Sequence, residues 1–472
     1  MKKIGLLSVL ILTIVSPLLV GAQTRLPTFF ADHMVLQQQE EVAIWGWDDA
    51  GQNISVEGNW GQKATARTDN SGKWQLNLAT PAAGGPYTLT ISGSDKIVLE
   101  DVMIGEVWIC SGQSNMVMPL KGYYSQPIYG AGDAILHANQ SNIRMFTADR
   151  VPSVEVREDI EGSWEVSSTE TAPEFSAAAY FFGRILEDVL DVPVGFIITA
   201  WGGSRVEAWM DKASLQSSGV TAFPTEVPDQ APNHAPTLLY NGMIKPFVPF
   251  TARGFLWYQG ENNVVNAHQY AQLFSDMIRL WRKDFKKPDM PFYFAEIAPY
   301  SNYKVMNSAY LREAQLQTML SVPHTGMAGT MDLGHCTNVH PGNKKDVGRR
   351  LALWALSQTY GYDGMEYSGP IYKSMKKTDD NKIILSFDHA RNGFSTFGQP
   401  LTGFEIAGQD GNFVPAEVSF SGGSRITVWS TQVSDPQVVR YGFSNCPEAT
   451  LYNTEKLPAP SFRTDGFLSN KE

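Results

Sequence analysis

Cysteine is scarce in this chain, with 3 among 472 residues. Cys110, Cys336 and Cys446 are odd in number and form no CxxC pair, which argues against a disulfide framework and against a structural zinc site. A contact between Cys110 and Cys336 has no support in the sequence, and Cys110 reads as a small buried hydrophobe. Basic charge is scarce as well. Lys and Arg total 37 against 48 Asp and Glu, a net charge of −11, and no stretch is strongly basic. Nucleic acid is therefore not an expected partner. Long apolar runs are missing after residue 20, so no later segment is expected to span a bilayer. There is also no GxSxG elbow and no lid-like apolar segment, which argues against a peptidase or a long-chain lipase.

What is present begins at the N-terminus. Lys2 and Lys3 precede the apolar run from Ile4 to Val20, and Gly21-Ala22 follow. A positive start, an apolar middle and a small-residue end predict a signal peptide over 1–22 and an exported chain. An N-terminal membrane anchor is the alternative, but the run is short for a span. At 472 residues the chain is too long for one core, and two or three domains are expected.

Residues 23–100 read as an all-β, sandwich-like region: EVAIWGW, ISVEGNW, GKWQLNL and PYTLTISG are short and alternating, with turn signals between them. The character changes near Asp101. Strand patterns at VMIGEVWICSG, VPVGFIITA, MPFYFAEIAP and GMAGTMDLG alternate with helical spacing at 174–191, 267–284, 308–320 and 343–359. That alternation predicts a parallel α/β sheet over 101–365. From 366 to 472 the pattern returns to β.

Ligands of such sheets bind at the carboxyl ends of strands. The turns after ICSG, ITA, LWY and MDL are thus where chemistry is to be sought. Ser114 lies in the first, in GQSN. A serine among Gly, Gln and Asn also reads as an ordinary turn residue. A nucleophilic serine needs a base and donors for the oxyanion. His340 follows a strand end and precedes a helix, on the same sheet edge as Ser114; His335 is the rival base. The turns Trp201-Gly202-Gly203-Ser204 and Gln259-Gly260-Glu261-Asn262-Asn263 supply backbone and amide donors.

GEVWICSGQSNM, AWGGSRVEAWM, LYNGMIKPF, WYQGENN and VHPGNKKDVGRRLA, in this order, resemble the sialate O-acetylesterase family. This is a branch of the SGNH hydrolases related to acetylxylan esterases. LPTFFADHMVLQ and LYNTEKLPAPSFRTD resemble its flanking β regions, so the likeness covers nearly the whole chain after residue 22. It implies an SGNH-hydrolase-like three-layer α/β/α domain with a parallel sheet between N- and C-terminal all-β regions. It implies Ser114 as nucleophile and His340 as base. It implies oxyanion donors at the Ser114 N–H, at Gly203 or Gly202, and at the amide of Gln259 or Asn263. Trp201, Trp209, Arg205, Gln113 and Glu261 are candidates for the sugar side.

The sequence departs from the family at one point. An Asp three residues before the catalytic His is common there, and here that position is Thr337. Asp332, Glu261 or a backbone carbonyl is then left to orient His340, with Asp332 the first expectation. A centre without the carboxylate is expected to be more sensitive to acid. The implied function is an exported serine esterase that removes O-acetyl groups from sugars without metal or cofactor. O-acetylated sialic acids are the first candidate substrate and acetylated xylan the second. A carbohydrate-binding protein with an inactive centre is the alternative from another class, and hydrolysis of a chromogenic acetyl ester separates the two.

Overall fold

The computed structural model describes residues 23–466; the signal-peptide reading of 1–22 lies outside them. The strands β1 (Lys96–Gly112), β2 (Gln140–Ala148), β3 (Gly162–Ser167), β4 (Val194–Ala200), β5 (Gly254–Tyr258), β6 (Phe292–Ala295) and β7 (Thr325–Ala328) stand in the order β7-β6-β5-β1-β4-β2-β3. All neighbours are parallel except β3, which runs antiparallel to β2 at the edge.

Helices cover both faces. Besides the short helices Ser114–Val117 (α1), Ala131–Leu136 and Lys212–Ser217, the long ones are α2 (Ala177–Leu190), α3 (Ala267–Asp284), α4 (Ala309–Ser321) and α5 (Lys344–Gln358). α2 and α5 pack together on one face, and α3 and α4 on the other. The strands are apolar on both sides, as a covered parallel sheet requires. In β1, Trp108 and Cys110 face the α2/α5 layer while Val107 and Ile109 face the other. The same alternation places Leu256 and Tyr258 of β5 on the first side and Phe255 and Trp257 on the second. The helix starts carry the expected caps: the Ser176 hydroxyl accepts from the Ala179 N–H, and the Asn343 side chain accepts from the Asp346 N–H.

The N-terminal β region joins the central sheet through β1. The first part of this 17-residue strand pairs antiparallel with Gly84–Ser92, while its second part is the middle of the α/β sheet. Residue 100 therefore lies inside one continuous strand. A separate antiparallel pair, Glu41–Trp47 with Lys73–Ala79, shares the core of this region through Val42, Ile44, Leu76 and Leu78.

The C-terminal region is all-β with its own core, including Ile383, Leu385, Ile406, Val428 and Tyr441. Buried Arg312 of α4 ties it down, donating to the Ser461 hydroxyl at 2.9 Å and to the Gly442 carbonyl at 3.1 Å. Cys336 and Cys446 form a disulfide with their Cα atoms 5.6 Å apart, and Cys110 is the buried free thiol. This corrects the expectation from the cysteine count. The partners stand 110 residues apart in sequence, and only the docking of the last region onto the loop before His340 brings them together.

Candidate active site

The site is built where β1 ends. Gly112 has φ of +134°, and a Cβ there would lie 2.3 Å from the Tyr258 carbonyl oxygen. Glycine is needed because the chain turns out of the sheet while still pressed against β5. Ser114 then opens α1, half-buried, with buried Gln113 and Asn115 beside it. Gln113 accepts from the Gly260 N–H at 3.3 Å and so joins two turns instead of facing outward.

His340 Nε2 lies 2.7 Å from Ser114 Oγ. The two residues expected to meet are in direct contact, across 226 positions of sequence. His335, the rival, instead bonds locally to Thr337 at 3.0 Å. His340 is held on its other side by Gln126, whose Oε1 lies 2.7 Å from Nδ1. An amide oxygen there fixes the proton on Nδ1 and turns the Nε2 lone pair toward the serine hydroxyl.

Asp332 is not the orienting group. It lies beyond the end of β7 and forms a two-pronged pair with Arg350 of α5, at 2.6 and 2.8 Å. Arg350 also donates to the Gly329 carbonyl at 2.7 Å, so the pair fastens α5 to the end of the sheet. Asp332→Asn is expected to leave turnover within about threefold of wild type. It is also expected to cost about 3 kcal/mol of stability by stranding a buried cation. Steady-state kinetics beside a denaturant melt check both.

Gln126 sits in a loop that sequence patterns did not single out. Tyr123 and Gln126 exchange backbone hydrogen bonds, with Ser125 left-handed at φ +57° between them. A Cβ on Gly122 would lie 2.5 Å from the Gln126 carbonyl oxygen. The Tyr123 hydroxyl donates to the Ser114 carbonyl at 3.1 Å, and its ring meets the His340 ring edge-on at 5.3 Å.

Beneath the pair lies a buried polar cluster. Asn115 donates to Glu261 Oε1 at 2.5 Å and to the Val339 carbonyl at 3.1 Å. Lys344, fully buried at the start of α5, donates to Asn115 Oδ1 at 2.6 Å and to the Pro341 carbonyl at 2.9 Å. Glu261 is thus neither on the sugar side nor on the histidine. Burial raises its carboxyl, and burial brings the Lys344 ammonium down to about 7. Burial first, and the Lys344 charge second, bring His340 down to about 4.

The acid expectation therefore reverses in sign. His340 acts as a base only when neutral, and a lowered pKa keeps it neutral further into acid. Activity is expected to hold as pH falls through 6 and to fail only toward about 4. Gln126→Glu should move that limb upward by about one to two pH units, because a carboxylate beside an imidazole favours its charged form. A pH–kcat profile of both proteins reads the shift.

The glycine turn after β4 faces the serine. A Cβ on Gly202 would lie 3.4 Å from Ser114 Cβ, and Gly203 has φ of +71°. The N–H groups of Ser114, Gly202 and Gly203 find no acceptor among the described residues. Of the amides, Gln259 and Asn263 are buried and committed. Gln259 donates to the Ser204 carbonyl at 2.9 Å and to Asn263 Oδ1 at 2.8 Å, and Asn263 donates to Glu207 at 2.9 Å. They brace the turn from behind. Two amides reach the turn: Asn262, which donates to the Gly203 carbonyl at 2.5 Å and lies 2.8 Å from His234 Nε2, and Asn233, which donates to the Gly202 carbonyl at 2.8 Å. Trp201 and Arg205 are half-buried at the same turn. Trp209 is not on the sugar side: it is fully buried in the core against Trp257, with its indole N–H donated to the Ser204 hydroxyl. The Arg205 Nε is buried without a hydrogen-bond partner among the described residues.

A three-layer α/β fold with a serine–histidine pair at the carboxyl edge of its parallel sheet, facing free backbone N–H groups, defines a hydrolase. Residues 104–357 match the family described as carbohydrate esterase, sialic acid-specific acetylesterase. The chain belongs to this family and is a carboxylic ester hydrolase. It is 28% identical to the sialate O-acetylesterase of Rattus norvegicus, with 98% of each chain covered. It is 28% identical to that of Homo sapiens, with 77% of each covered. A carbohydrate acetylesterase from Xanthomonas citri has the same fold, with a TM-score of 0.86 and 37% identity over 94% of this chain and 100% of that one. Among the described residues, no helix is long and apolar enough to cross a membrane.

Proposed function

We propose that the protein is an exported esterase that removes O-acetyl groups from sialic acids through an acetyl-serine intermediate. The observation that carries the chemistry is the 2.7 Å contact between Ser114 Oγ and His340 Nε2. Ser114 attacks the acetyl carbonyl as His340 takes its proton. The oxyanion is met by the N–H groups of Ser114 and of Gly202 or Gly203. His340 returns the proton to the leaving sugar oxygen, then deprotonates the water that releases acetate. Gln126, a neutral amide, orients the imidazole without sharing its charge.

Export is supported by the composition of residues 1–22 and by the Cys336–Cys446 disulfide, since such bonds persist in oxidising compartments. The sialic acid preference is supported by the family match and by the rat and human relatives. The test is acetate release by the purified protein from O-acetylated N-acetylneuraminic acid and from acetylated xylan in parallel. Faster release from the former is expected, and preference for xylan would overturn the substrate assignment. Failure on both sugars and on a chromogenic acetyl ester would leave a binding protein.

A further inference from the structure

A second concave site lies away from Ser114, where the N-terminal β region meets the α/β domain. It is a cleft of about 400 Å³ between the Glu41–Trp47/Lys73–Ala79 pair and the loop that links β2 to β3, with Lys245 at one end. None of its lining residues belongs to the Ser114 site.

Its floor is aromatic. Trp45 and Trp47 alternate onto the same face of their strand, opposite Gln75 and Lys73 in the register, and both indoles are half-buried. The Arg25 guanidinium, which does not line the cleft, stacks on one face of Trp47 at 4.0 Å from the ring centre, so a ligand in the cleft meets the other face. Gly46 stands between them, and a Cβ there would meet the ring of Trp74 at 3.0 Å. Trp74 also lines the cleft, and its indole N–H is buried without an acceptor among the described residues.

The rim is charged, with one sign left uncommitted. Its carboxylates are engaged: Glu158 pairs with Lys73 across the cleft, and Asp69 accepts from the Ser71 and Lys73 backbone N–H groups of its own turn. Lys245 is only loosely held, 3.8 Å from Asp284. The Arg157 guanidinium is exposed on the rim and forms no ion pair among the described residues, while Asp159 of the same loop lies 3.8 Å from Arg25 instead. In a chain of net charge −11 this is a local excess of available cation.

Flat indoles offer apolar faces to sugar C–H groups, and an arginine fork matches a carboxylate. The volume falls in the range of small-ligand sites. We propose that this cleft is a second, non-catalytic binding site for a carboxylate-bearing saccharide, with the sugar ring on Trp47 and the carboxylate on Arg157. The site would hold an acidic glycan on the enzyme independently of deacetylation.

The test is calorimetric titration of the full-length protein with an unacetylated α2,8-linked sialic acid trimer and, separately, with neutral xylotriose. The acidic trimer is expected to bind and the neutral one not. Arg157→Ala and Trp47→Ala should each weaken trimer binding at least tenfold while hydrolysis of 4-nitrophenyl acetate stays at the wild-type rate. Arg157→Lys should retain part of the affinity, and Arg157 is exposed enough that its loss should not disturb folding. Unchanged affinity in both variants, equal binding of xylotriose, or no binding of the trimer would overturn the proposal. A protein inactive on acetylated sugars that still binds the trimer through Arg157 would sink the catalytic reading and leave this one standing.

Discussion

Ser114→Ala is expected to lower acetyl-ester turnover by about 10⁴- to 10⁶-fold with the fold intact, because the residues of a serine–histidine centre act as a unit. The hydroxyl is the only group at that position able to form the covalent bond. What remains after its removal is the donor set at Ser114, Gly202 and Gly203, which still polarises a bound carbonyl. His340→Ala should cost nearly as much, and the double variant little more than either alone. Single-turnover acetate release, with the thermal melt as control for folding, reads all three. A Ser114→Ala protein that kept more than about one part in a hundred of its rate would place the nucleophile elsewhere and break the argument from the 2.7 Å contact.

The parts of this site that lie at the ends of periodic elements were legible in the sequence. The helix expected over 267–284 is Ala267–Asp284, and that expected over 343–359 is Lys344–Gln358. Strand-then-helix alternation requires parallel strands, and parallel strands put the Ser114 turn, the Gly202-Gly203 turn and the His340 loop on one edge. The groups that act sideways on those residues were not legible. Gln126 belongs to an irregular loop whose course depends on a left-handed serine, and no periodic signal marks such a place. Asp332 was attractive for its position near a strand end. Its partner Arg350 lies 18 residues on, on a helix face that packs against the same strand end. Nothing in the spacing showed that this arginine had first claim on the carboxylate. Lys344 and Lys345 read alike as charges at a helix start, yet only Lys344 is fully buried.

That buried lysine carries the other large expected effect. Lys344 joins the residue after the nucleophile, through Asn115, to the residue after the base, through the Pro341 carbonyl. Asn115 reaches back to the Val339 carbonyl on the other side of the histidine. One ammonium thus sets the distance between Ser114 and His340 and also places a positive charge under the imidazole. Lys344→Met should lower kcat by about a hundredfold, the order expected when reacting groups shift by an ångström, with KM for a small ester nearly unchanged. It should also raise the acid limb of the pH–kcat profile above its wild-type position near 4, because a charge that opposes protonation of His340 is gone. The variant removes a cation that acts on buried Glu261 without pairing with it directly, and it leaves the Asn115 Oδ1 and Pro341 carbonyl acceptors unfilled, a loss of about 1 to 3 kcal/mol. Lys344→Met combined with Glu261→Gln removes the carboxylate charge as well, and it should recover part of the lost stability but not the lost turnover. Recovery of both would make Lys344 a structural counterion only. Recovery of stability alone, with the acid limb still raised, would establish it as the residue that positions the pair and keeps its base neutral.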